Sequence, residues 1–273
     1  MRTTAVVFPF DSFGNAGTGA GAQLLGDALY EVLEDNDLEE RPTRCDSYRG
    51  KVEFVELDFP TPESIVDWKK TGRTAIRDLL KSKHFGLWFA GNHLGALPVY
   101  EELGNRGDVA IIQFDGHLDI HQFHDVTETP SNGNFLLHSE EQLPPIMNLG
   151  HRDLFLNADE IEQTFTAAIN AEEIAESLTK VASKVRSFAK SAKSVWIDLD
   201  VDVFDPAFAP AVHQPQPFGL TPQQVLVLLN AAWAGNVIGV SVSEYDPGRD
   251  VRDTTLNLLG WLTEWVLLKV NER

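Results

Sequence analysis

Val109-Ala-Ile-Ile-Gln-Phe-Asp115-Gly-His117-Leu-Asp119-Ile-His121 is an apolar run that opens into side chains suited to holding a metal ion. Its unbroken apolar character, through Phe114, is that of a central parallel strand covered on both faces. In an extended chain, residues two apart point to the same side, so Asp115, His117 and Asp119 can converge on one point. A second stretch repeats the design: Val195-Trp-Ile-Asp198-Leu-Asp200-Val-Asp202-Val-Phe-Asp205-Pro206 is again an apolar strand that ends in spaced carboxylates. Here Asp200 and Asp202 share a side. Asp at a strand end commonly caps a turn, and one Asp-x-His is commonly a surface pair. Two such clusters, both on strand ends, point instead to a single dinuclear metal site.

Outward from these stretches, strands are expected at residues 3–8, 52–58, 85–90, 145–150, 194–200 and 236–243. Helical patterns fall between them: after the glycine-rich loop 14–21 to about 33, from 61 to 84, after 95, from 158 to 191, from 221, and from 254 to about 270. The alternation predicts an α/β fold, a three-layer αβα sandwich around a mainly parallel sheet, in a single domain over residues 1–273. His93, the Asp115 cluster, the Asp200 cluster and Glu244 all follow the carboxyl ends of predicted strands, where open α/β sheets place their sites. His93 thereby joins Asp115, His117, Asp119, Asp200 and Asp202 as a sixth ligand. The glycine loop resembles a dinucleotide-binding turn, but the acidic residue that should follow about 20 positions on has no strand to carry it. The loop is read as a permissive segment beside the active site.

Composition limits the partners. A net charge of −19 argues against nucleic acid and against anionic membrane surfaces. Cys45 is the sole cysteine, so no intrachain disulfide is expected. No apolar stretch reaches membrane-spanning length and no targeting pattern opens the chain, which predicts a soluble, cytoplasmic protein. Two divalent cations held by bridging carboxylates share a hydroxide at neutral pH, and four Asp with two His and no thiolate favour Mn²⁺. By ligand type, Zn²⁺, Co²⁺ and Fe²⁺ also fit.

With these residues in hand, the chain resembles the ureohydrolase family of arginases, agmatinases and formiminoglutamases over nearly its whole length. Ala-Gly-Asn-His93 is similar to the family's Gly-Gly-Asp-His, Asp115-Gly-His117-Leu-Asp119 to Asp-Ala-His-x-Asp, and Asp200-Val-Asp202-Val-Phe-Asp205-Pro206 to Asp-x-Asp-x-x-Asp-Pro. Ser243-Glu244-Tyr-Asp-Pro247 is similar to Glu-Val-Asn-Pro. The resemblance implies two Mn²⁺ per chain, one on His93 and Asp119, the other on His117 and Asp202, with Asp115 and Asp200 bridging. It implies Glu244 facing a guanidinium, and assembly as a trimer or hexamer.

The departures fall around residues 121–138. The family's proton-carrying histidine has its counterpart in His138, two residues late after Gly133-Asn134 but on the same face if the segment is extended; His124 is its rival. An arginase-like chain carries Asn at position 121 and a second acidic residue near 155, where this one has His121 and Phe155. Candidate catalytic residues are therefore His138, Asp119 and Glu244, and candidate substrate contacts His121, Asn134, Asp153 and Glu244. The expected activity is hydrolysis of a C–N bond in a linear guanidino or amidine compound, releasing urea as agmatinases and arginases do. The alternatives are formiminoglutamase-like release of formamide, or a metal-holding family member with a binding or regulatory role.

Overall fold

The computed structural model describes residues 1–40, 48–122, 128–154 and 158–272. The apolar runs form eight strands: β1 (Thr3–Phe8), β2 (Val52–Glu56), β3 (Phe85–Ala90), β4 (Val109–Phe114), β5 (Ile146–Leu149), β6 (Ala167–Ile169), β7 (Ser194–Asp200) and β8 (Val237–Ser243). They make a single sheet in the order β2-β1-β3-β8-β7-β4-β5-β6. Every neighbouring pair is parallel. Strands β1, β3, β4 and β7 are buried at every residue, as covering on both faces requires.

The covering layers follow from strand alternation. Ala5 and Val7 face a core completed by helices α1 (Thr18–Leu38), α6 (Ala171–Ser191), α7 (Pro222–Ala232) and α8 (Thr254–Asn271), through residues such as Leu25, Ile174, Leu228 and Leu262. Val6 and Phe8 face the opposite core, which Trp68, Ile76 and Leu79 of α3 (Trp68–Ser82) and Tyr100 of α4 (Leu97–Gly104) complete. Two shorter helices, α2 (Pro62–Val66) and α5 (Ala158–Thr164), complete the described set.

Register is what positions the site. Phe89 pairs with Val242, Val242 with Leu199, and Leu199 with Phe114, so β3, β8, β7 and β4 end level with one another. The residues that follow them, His93, Glu244, Asp200 and Asp115, therefore meet at one rim of the sheet.

Three expectations about elements are corrected. Helix α1 runs on to Leu38, past the end expected near residue 33. The pattern from 61 to 84 is two helices, broken at Asp67; Thr61 starts the first with a capping box through Ser64. The pattern from 158 to 191 is also broken, because Ala167–Ile169 leaves it to pair with β5. Cys45, His124 and Phe155 lie outside the described residues.

Candidate metal centre

The ligand candidates follow strand ends, and the carboxylates of Asp115, Asp200 and Asp202 are fixed by backbone hydrogen bonds. Asp115 follows β4, and its Oδ1 accepts from the His117 amide at 2.7 Å. Asp200 ends β7, and its Oδ1 accepts from the Asp202 amide at 2.8 Å across a tight 3-10 turn. Asp202 in turn accepts from the Gly116 amide at 3.0 Å, which ties the two clusters together. Asp119 has a left-handed backbone, φ 51°. His93 opens the 3-10 turn after β3.

Around His93 the carboxylates converge. Its Nδ1 lies 2.8 Å from Asp119, 3.1 Å from Asp200 and 3.3 Å from Asp115, while His117 Nδ1 lies 2.8 Å from Asp202. Among the described residues, two groups of ligand atoms fall within 4.8 Å of one another: His93 with Asp115 and Asp200, and Asp115 with His117 and Asp202. His93 Nδ1 and Asp115 Oδ2 are buried without a hydrogen-bond partner. Buried, unpartnered donor atoms facing one another are costly unless an ion takes them up, so this oxygen- and imidazole-rich set fits a pair of divalent cations.

The electrostatics agree. Burial, with Asp119 close by, pushes the Asp115 carboxyl up to about 8, and burial beside Asp202 likewise raises Asp200 well above its ordinary value. Burial opposes charge on His117 as well, but Asp202 outweighs it and lifts the imidazole to about 11; the same pair pulls Asp202 down to about 2. Four carboxylates in one buried pocket hold protons or share them with imidazoles, and cations bound there would displace those protons.

One residue without an assigned part in the sequence reading orients the cluster. Asp198, fully buried in β7, accepts from His93 Nε2 at 2.8 Å and from the Tyr100 hydroxyl at 2.7 Å, and also from Ser241. With Nε2–H committed to Asp198, the Nδ1 lone pair of His93 is turned toward the carboxylates. The signal was present as an Asp inside an otherwise apolar strand, where an unpaired carboxylate is not tolerated.

The other candidates are placed as follows. Glu244, buried and left-handed at φ 69°, accepts from the His93 amide at 2.8 Å through Oε1 and from Asn15 at 2.7 Å through Oε2. Burial raises its carboxyl to about 7, with Asn15 and the His93 amide pulling the other way. Asn15 comes from the glycine-rich loop, which is held close because a Cβ at Gly21 would run into the Tyr245 carbonyl oxygen. His121 and Asp153 face each other at 3.4 Å, and Asp153 also accepts from the Leu118 amide at 2.8 Å. Both line a cavity of about 1070 Å³ that reaches His117, Asp119, Asp200 and Asp202. Asn134 turns inward on its own loop, accepting from the Ser131 amide and donating to the Thr129 carbonyl. His138 lies at the end of a 3-10 turn, Phe135–His138, so the extended spacing that would align it with position 136 does not hold. Leu136 is buried there, the Phe135 ring stands 4.8 Å from that of His93, and His138 is not among the residues lining the cavity.

With this geometry in view, comparisons with known proteins are informative. A sequence model described as the Arginase family matches residues 4–267. An agmatinase from Bacillus subtilis is 25% identical over 219 residues, 78% of this chain and 72% of the relative. A guanidinopropionase from Pseudomonas aeruginosa is 26% identical over 172 residues, 60% of this chain; the match spans only about half, 54%, of that relative's length. Among solved structures, a hypothetical agmatinase from Burkholderia thailandensis superposes with a TM-score of 0.83 at 20% identity, covering 100% of this chain and 87% of that one, a likeness of fold.

Proposed function

This chain belongs to the arginase family, and from that premise we propose that it hydrolyses a C–N bond of a linear guanidino or amidine compound at a dinuclear metal centre. The observation that carries the reading is the meeting of two groups of ligand atoms, sharing Asp115, at the level ends of β4 and β7. In this reading His93, Asp115, His117, Asp119, Asp200 and Asp202 would hold the two Mn²⁺. When bound, such a pair supplies Lewis acidity and a water of lowered pKa.

The chain's own residues do the rest. Asp198 fixes the tautomer and angle of His93. Glu244 presents its carboxylate at the same rim; each oxygen carries one hydrogen bond from the protein and keeps a lone pair for a planar amidinium, which two parallel bonds would orient. His121 and Asp153 form part of the wall against which the substrate lies. The leaving amine requires a proton; His138, the candidate from the sequence, stands outside the cavity lining and is not given that part. Release of urea is the first expectation and release of formamide the second. By the family resemblance the protein assembles as a homo-oligomer, a trimer or hexamer. No described helix is long and apolar enough to cross a membrane.

The second reading, a metal-holding chain without turnover, is favoured by one observation: Phe135 and Leu136 occupy the segment from which a proton-carrying histidine is expected. A screen of guanidino and formimino compounds with Mn²⁺-loaded protein, reading urea, formamide and ammonia, separates the two. Turnover of any of them supports hydrolysis, and its absence across the panel supports the second reading.

A further inference from the structure

We propose that the cavity beside the metal centre takes an apolar, carboxylate-free tail, so that the substrate is an alkyl- or aryl-substituted guanidine or amidine rather than an amino acid. The inference rests on the hydrolytic reading above and specifies the part of the substrate away from the reacting carbon.

Charge argues first. Beyond the ligand cluster, the described residues lining the cavity include two acids, Asp153 and Glu172, and one guanidinium, Arg152. Arg152 is already engaged: its Nη1 donates to the Gly150 and Val203 carbonyls at 3.1 and 3.2 Å, and its Nη2 to the Asp202 carbonyl at 2.5 Å. The His121 imidazole is turned to Asp153. A carboxylate tail entering here would leave water to face two acids, with its one strong cation fastened to the backbone.

The apolar part of the wall argues in the same direction. Phe218 is 85% exposed and Leu154 is 86% exposed, and both line the cavity, with Pro217 beside Phe218. Large apolar side chains left open to water beside a cavity mark a surface that an apolar ligand covers. Phe218 is moreover held at φ 63°, a left-handed conformation that an aromatic residue rarely adopts. The segment is fixed in that shape: Leu220 donates to the Val203 carbonyl at 2.9 Å, Gly219 donates to the Asp205 carboxylate at 3.0 Å, and a Cβ at Gly219 would collide with the Asp205 backbone. Strain of this kind, in a well-anchored segment that presents a ring to the site, is a mark of function.

The test compares hexylguanidine and phenethylguanidine with arginine and 6-guanidinohexanoate, by steady-state kinetics of the Mn²⁺-loaded protein and by calorimetric binding. The apolar-tailed compounds should show kcat/KM and affinity at least about tenfold higher, the scale of one well-buried apolar group. Phe218→Ser and Leu154→Ser should each raise KM for them by about tenfold, with a far smaller change in kcat. Preference for the carboxylate-bearing compounds overturns the tail assignment while leaving hydrolysis intact. Variants that keep KM but change the sedimentation behaviour also overturn it, by giving these side chains to a contact between copies. If nothing is hydrolysed but the apolar guanidines still bind tightest, the hydrolytic reading falls and the tail assignment stands. Binding that does not discriminate removes the tail assignment in every case.

Discussion

Asp198 shows how much one residue decides at this rim. It is fully buried and receives three side-chain donors, and it determines which nitrogen His93 turns to the carboxylates. Asp198→Asn should keep the shape but lose the charge that holds Nε2–H, and Mn²⁺ affinity measured by titration should fall by about 10–100-fold. Unchanged affinity would mean that His93 is oriented by other contacts. At Glu244 the expectation differs: Glu244→Gln should weaken substrate binding and turnover while both metals stay bound, and wild-type kinetics in that variant would remove the amidinium contact. Metal uptake should also release protons, because Asp115 sits near 8 without a cation and must give up its proton to become a ligand. Calorimetry in buffers of different ionisation enthalpy reads that release, and affinity should weaken as pH falls below neutrality. That the candidate ligands gather at one rim was legible because each cluster follows an apolar strand, but the extended spacing behind that reading does not hold, since Asp119 is left-handed and Asp202 lies in a 3-10 turn; the part played by Asp198 was not legible, since its partner is 105 residues away in sequence.

Among elements, α3 and α4 are joined by an ion-pair network. Lys69 and Arg73 of α3 meet Glu101, which is 0% exposed, at 2.7 and 3.4 Å, and Arg73 and Arg77 both reach Glu102 at 2.7 Å. Arg73 also binds Glu141 at 2.7 Å. Arg73→Met should therefore leave three acids under-compensated and lower stability in denaturant unfolding by about 1–3 kcal/mol, less than the ~3–5 of a dry pair because Arg73 keeps 19% exposure. Burial works against the Glu102 charge, but Arg77 and Arg73 hold its carboxyl below its ordinary value. Its contribution is thus present above about pH 4.5 and lost as pH falls through its lower folded value. None of this network was read from the sequence, since Arg77 and Glu102 are 25 residues apart and Arg73 and Glu141 are 68 apart. Strands β3, β4 and β7 were legible to the residue because double-sided burial writes an unbroken apolar run. Strand β6 was not: three residues, two of them alanine, fit a helix as well as a strand, and only pairing with β5 decides. The turn at Phe135–His138 escaped for the same reason, since its packing against His93 and Tyr100 is tertiary.

For the molecule as a whole, the fold gathers like charge into one buried place, which bound cations would offset. Without metal, the folded chain keeps a proton on Asp115, raised from 3.8 to about 8, that the unfolded chain gives up near pH 4. A raised folded value means stability that is full below about pH 4 and declines as pH climbs toward about 8. His117, raised from 6.5 to about 11, acts in the same sense over a higher range. The chelated protein should accordingly melt at lower temperature at pH 8 than at pH 5, and Mn²⁺ should restore more at the higher pH; equal Mn²⁺ shifts at both would contradict the buried carboxylate cluster. The expectations for metal and substrate depend on whether the rim of β3, β8, β7 and β4 is a hydrolytic dinuclear centre. The most direct test is turnover of an amidine substrate measured against Mn²⁺ bound per chain, for wild type and Asp200→Asn side by side. Wild type should approach full turnover only as occupancy reaches two ions, and Asp200→Asn should neither hold two ions nor turn over. Full turnover at one ion or none, or two-ion occupancy with full activity in Asp200→Asn, would contradict the account.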